Sequence, residues 1–121
     1  MDHDQYETAV QEHEALYLMI KAACYLLPVP INLPSAGVEQ AERMKALSRV
    51  ASIVDQQPMP EEQYGELGNA CLNWMIAADL LRFEAEDREP SVWHRVVAVR
   101  ALIMEGVDAV KRLGDWLADQ M

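Results

Sequence analysis

The chain has 121 residues, enough for one domain with a real core and too few for two. Hydrophobic residues make up 51% and charged residues 25%, a globular composition that excludes wholesale disorder. The formal charge of −10 excludes a direct electrostatic fit to nucleic acid or an anionic membrane and leaves basic protein surfaces as the match.

Good helix formers (Ala, Leu, Met, Glu, Gln) are plentiful, while aromatics number only three Trp, four Tyr and one Phe, so helix is favoured over strand. The six prolines are bunched at three places, which punctuates a helical chain with three turns. No apolar run reaches the roughly 18 residues that a membrane span needs. The start, Met1-Asp2-His3-Asp4, lacks the basic region of a secretory signal, so the expected location is cytoplasmic.

The first helix is expected over Asp4–Leu27. Tyr6, Val10, His13, Tyr17, Ile20, Cys24 and Leu27 recur at alternating steps of four and three, one stripe of a helix, flanked by Ala9, Leu16 and Ala23. Pro28 ends it. The stretch Pro28–Gly37 carries Pro28, Pro30 and Pro34, which forbid helix and favour an extended path. Val29, Ile31 and Leu33 make one side of it apolar. It is either a lid folded over the end of the bundle or a docking strip for a partner.

A short second helix is expected over Val38–Asp55, with Ala41, Met44, Leu47, Val50, Ala51 and Val54 inward and Ser35 or Gly37 at its N-cap. Pro60 opens the third and longest helix at its first position, followed by Glu61 and Glu62. That helix, Pro60–Arg88, should be the one the others pack against. Tyr64, Leu67, Cys71, Trp74, Ala78, Leu81 and Ala85 form its stripe, and Leu72, Met75, Ile76 and Leu80 widen it beyond one face. A fourth helix over Ser91–Asp119 repeats the pattern with Val96, Val99, Ile103, Gly106, Val110, Leu113 and Leu117, extended by Leu102 and Trp116. Gly65, Gly68, Gly106 and Gly114 suggest close helix approach, with Gly65 and Gly114 equally explained as tolerated near helix ends. The expected fold is all-α: a single-domain antiparallel four-helix bundle over residues 1–121, with a Pro-rich extended loop between helices 1 and 2.

Charge is unevenly placed. Residues 1–27 carry five acids and one base, net −4, and residues 61–90 carry eight acids and two bases, net −6. The other two segments are neutral. Helices 1 and 3 therefore hold the excess, on opposite sides if they are diagonal and on one acidic face if they are neighbours. The acid reads either as a docking surface or as a solvated face that keeps the protein soluble.

Catalytic patterns are absent from the sequence. His13 lies on an inward stripe, and a histidine there is expected to bond a carboxylate or carbonyl rather than a substrate. Neither His13 nor His94 has a Glu three residues before it, which excludes the ferritin-like metal signature. Cys24 and Cys71 read as buried hydrophobes, and no pair of ligands has zinc-site spacing. Phosphate-binding glycine loops and nucleophile elbows are missing. The expectation is a non-enzymatic protein without metal or cofactor: an inhibitor or adaptor that occupies a basic, nucleic-acid-binding type of surface on a partner. Acidic blocking proteins of mobile elements are the class-level analogy. Glu7, Glu14, Glu66, Glu84 and Glu86 are the candidate contacts, with Val29, Ile31 and Leu33 as the apolar alternative. Two other readings are a sensory bundle holding an apolar ligand near His13, Trp74 and Met75, and a structural homodimer.

Overall fold

A computed structural model describes residues 3–86 and 93–121. Its regular structure is helical throughout: α1 (His3–Tyr25), α2 (Gln40–Ile53), a short 3-10 turn (Val54–Gln56), α3 (Glu61–Glu86) and α4 (Trp93–Asp119). The expected helix ends at Arg88 and Ser91 lie outside the described residues, as does the side chain of Trp93, which the sequence places just off its stripe and exposed. None of the described helices is long and apolar enough to cross a membrane.

The stripes read from the sequence are the ones that bury. Along α1, Tyr17, Ile20 and Cys24 are fully buried, and along α4 so are Val99 and Leu113. α3 touches α1, α2 and α4, and α4 also packs on α1. One core cluster therefore runs through all four helices, with Trp74 at 0% exposure near its middle. Glu66 of α3 pairs with Arg112 of α4, and Glu84 with Arg95. Val54 lies nearest Gly68, at the opposite end of α2 from Gln40 and Ala41, which share a small pocket with Ala78 and Arg82.

Several local expectations are corrected. α1 stops at Tyr25 rather than Leu27, because Pro28 restricts the residue before it; Leu26 and Leu27 close the end with N–H bonds to Ala23 and Cys24, three residues back. Ser35 does not cap α2. Its hydroxyl accepts the N–H of Gly37 in a small turn, and α2 begins after Glu39 with no side-chain cap. Pro60 precedes α3 instead of opening it, its carbonyl accepting the first helical N–H groups from Gln63 and Tyr64. Met75 and Leu80 pack partly on the core, whereas Leu72 and Ile76 are exposed, as is Ala85 of the stripe itself, so the extra apolar width of α3 is covered in part. Ala41 is exposed as well, its expected place inside taken by Arg43.

Close helix approach occurs at one glycine. A Cβ on Gly106 would lie 2.8 Å from Leu16 Cδ2, whereas nothing lies within 4 Å of one on Gly65 or Gly114. Gly114→Ala should therefore stabilise the protein by about 0.5–1 kcal/mol through helix propensity. Gly106→Ala should lose that gain to overpacking against Leu16. Trp74→Ala should destabilise by about 3–5 kcal/mol. Urea melts of the three variants check the order, and an equal gain from both glycine replacements would remove the close-approach argument.

Candidate functional site

The polar side chains that the fold buries most deeply meet where α1 crosses α3. His13 Nε2–H donates to the Trp74 carbonyl at 2.9 Å, and Trp74 Nε1–H returns a bond to the His13 carbonyl, also at 2.9 Å. Each ring thus caps the other's backbone, and the two rings stack with centroids 4.1 Å apart and planes 14° from parallel. A carbonyl can only accept, so Nε2 carries the imidazole proton. Tyr17 lies one turn on, its ring 5.5 Å from Trp74 and its hydroxyl donating to the Pro34 carbonyl at 2.5 Å.

Arg43 of α2 closes this cluster. Its guanidinium carbon is 5.3 Å from the Tyr17 ring centre and 5.5 Å from that of Trp74, and its Nη1 donates to both oxygens of Glu14 at 2.7 Å. A buried arginine is tolerated where a carboxylate neutralises it and aromatic faces accept the cation. Its Nε has no partner. Desolvation by burial is the main cause that lowers the His13 pKa, with Arg43 adding to it and the Trp74 carbonyl and Glu14 opposing. His13 is neutral, 3% exposed and committed to a backbone bond. Chemically the cluster is a clasp between helices.

The cysteines are as inert. Burial pushes the Cys24 thiol up to about 12 and raises Cys71 as well, so neither is a nucleophile near neutral pH. Among the described residues, no three His, Cys, Asp or Glu side chains converge as a metal site.

The acids expected as contacts are dispersed. Glu14 faces Arg43; Glu66 pairs with Arg112 at 2.9 Å; Glu84, its side chain only 7% exposed, pairs with Arg95 at 3.0 Å. Glu66 and Glu84 stand about 27 Å apart along α3 at 1.5 Å per residue. Glu7 and Glu86 are exposed. Glu12, which the sequence reading did not single out, pairs with Arg100 at 2.9 Å. In the Pro-rich stretch Val29 is 57% exposed, Ile31 packs partly on the core and Leu33 lies within it. The stretch is tied down at three backbone points: Gln57 exchanges two amide bonds with Val29, at 3.0 and 2.8 Å; Ile31 N–H reaches the Cys24 carbonyl; and Pro34 accepts from Tyr17.

Sequence reasoning missed Arg43 and Gln57. Arg43 was findable, since it continues the four-three spacing of Leu47, Val50 and Val54. Gln57 lies in a turn and carries no periodic signal. No protein-family model, curated protein or solved structure matches the chain.

The lowered pKa of His13 fixes a sign. An unfolded histidine titrates near 6.5, so below that pH the unfolded chain binds a proton that the folded one refuses. Stability should fall as pH drops from 7.5 to 5.5, by up to about 1.4 kcal/mol per unit from this group, with Glu14 and Arg43 as the charges facing it. His13→Gln keeps a donor for the Trp74 carbonyl without titrating, and urea melts should show a shallower pH slope. An unchanged slope would place the proton elsewhere.

Proposed function

We propose that this chain is a non-catalytic helical interaction protein, an inhibitor or adaptor that docks through acidic surface on a basic partner of the kind that otherwise holds nucleic acid. The observation that carries this reading is how the cations are used. Arg95, Arg100 and Arg112 of α4 and Arg43 of α2 are bound to acids of α1 and α3. Glu105, Asp108, Asp115 and Asp119 of α4, with Glu61 and Glu62 at the start of α3, are exposed and make no ion pair among the described residues. Around Arg112, the hydrogen bond it donates to Glu66 and the charges of Glu66, Asp108 and Glu105 raise its pKa, as expected of a cation set in an acidic field. The acids left for a partner are thus these, more than the paired Glu14, Glu66 and Glu84.

In this reading the bundle is antiparallel about α3, which runs against α1, α2 and α4. Pro28–Gly37 is then the extended return path that lets α1 and α2 point the same way. A second reading, self-association, is favoured by exposed apolar side chains on α3 and α4: Leu72, Ile76, Val97 and Met104.

A partner captured from a lysate should associate about tenfold more slowly as salt rises from about 0.05 to 0.5 M, because screening shortens the reach of the charges. Glu105→Lys with Asp108→Lys should weaken binding about tenfold, with the helical circular-dichroism spectrum intact. Binding that ignores salt and these reversals but fails on Leu72→Glu or Ile76→Glu would move the function to the apolar face. A concentration-dependent dimer lost in those same two variants would assign that face to self-association.

A further inference from the structure

A groove of about 800 Å³ lies between Pro30–Pro34 and the outer side of α2 from Glu42 to Ile53. Its apolar lining comes from Ile31 and Leu33 on one side and Ala46, Val50 and Ile53 on the other. Eleven helical steps make it about 17 Å long, the length of about five extended residues. One wall is an extended segment whose main chain is only partly used. Ile31 N–H and the Pro34 carbonyl bond to α1, and between them the exposed Asn32 has an N–H that makes no hydrogen bond among the described residues. The prolines at 30 and 34 cannot donate at all.

The other wall carries two cations. Lys45 and Arg49 are one turn apart on α2, so they line the same edge, and both are exposed. Neither makes an ion pair among the described residues, in a chain of net charge −10 that has acids to offer. Pairing is the rule for the described arginines: Arg43, Arg82, Arg95, Arg100 and Arg112 all have a carboxylate within 4 Å. Glu42 at one end of the groove gives it polarity, repelling an acid there and favouring one beside Lys45 and Arg49.

We propose that this groove binds an extended peptide segment that carries an acidic side chain. The peptide backbone pairs with the unused N–H of Asn32, alternate apolar side chains rest on Ile31, Ala46 and Val50, and the carboxylate lies between Lys45 and Arg49. An open trough with polar groups along its length suits a peptide better than a fatty acid, whose polar atoms are confined to one carboxylate. Because the whole molecule repels acids at long range, recognition here is short-range and local. The site is independent of the acidic face: one takes a basic surface, the other an acidic strand.

The test is a selection of random linear seven-residue peptides on the full chain, with counter-selection on the Lys45→Glu/Arg49→Glu variant. The leading peptide is then titrated by fluorescence anisotropy and its contacts are mapped by amide chemical shifts. Enriched peptides should carry Asp or Glu among alternating apolar residues and shift the amides of Asn32 and Leu33. Their affinity should fall at least about tenfold in the double variant, a loss of about 1.4 kcal/mol. Lys111→Glu, on α4, should leave binding nearly unchanged. Enrichment no better than on the double variant, peptides without acids, or an equal loss in Lys111→Glu would overturn the proposal. So would displacement by decanoate with the same amide shifts, which would make this an amphiphile site. Circular dichroism of the variants separates lost binding from lost fold.

Discussion

Two helices that each carry an acidic excess lie against one another, and most of the polar architecture follows from that contact. The segments containing α1 and α3 hold net charges of −4 and −6, yet His13 and Trp74 bring them to ring-stacking distance. Such a seam needs cations from outside it, and α2 and α4 provide them: Arg43 to Glu14, Arg100 to Glu12, Arg95 to Glu84 and Arg112 to Glu66. These pairs are not equal. Exposed ion pairs contribute about 0–1 kcal/mol, whereas breaking a buried one costs about 3–5 kcal/mol. Arg43–Glu14 and Arg95–Glu84, each with one side chain below 10% exposure, fall between those limits; Arg112–Glu66 and Arg100–Glu12, with arginines about half exposed, act more as register marks than as glue. The neutral segments of the sequence are thus the ones whose charges are put to structural use. Charge counted by segment misplaces the surface, because an acid on α3 that faces an arginine on α4 is largely invisible from outside.

What was legible in the sequence is what depends on period. The four-three spacing located all four helices, placed Trp74 at the centre of the core and turned His13 inward towards a carbonyl. The two cysteines read as buried hydrophobes for the same reason, and both are buried. What was hidden depends on partners contributed by distant elements. Arg43 has the periodicity of a core residue, but its charge argues for solvent until Tyr17, Trp74 and Glu14 are brought around it. Leu72 and Ile76 fail in the opposite direction: they are apolar and adjacent to a true stripe, but no helix covers that side of α3. The Pro-rich stretch is neither wholly hidden nor wholly exposed. Leu33 is inside, Val29 is outside, and the stretch is pinned by the side chains of Gln57 and Tyr17 and by the Cys24 carbonyl. Of the groove beside α2, the Pro-rich wall had a signal in the apolar alternation of Ile31 and Leu33, whereas the outer side of α2 had none.

The way α2 is attached has a consequence for how the molecule comes apart. α2 packs on α3 and makes no backbone contact with α1 or α4. Its start is secured by Arg43 and the turn after it by Gln57, two polar residues, with Leu47 and Val50 as the fully buried apolar anchors between them. Hydrogen bonds of this kind are directional, so they fail together once the geometry is lost. Were residues 26–57 to separate as one unit, α1, α3 and α4 would keep their mutual contacts. Arg43 would then leave the faces of Tyr17 and Trp74, and the aromatic clasp between α1 and α3 would be the part of the core laid bare.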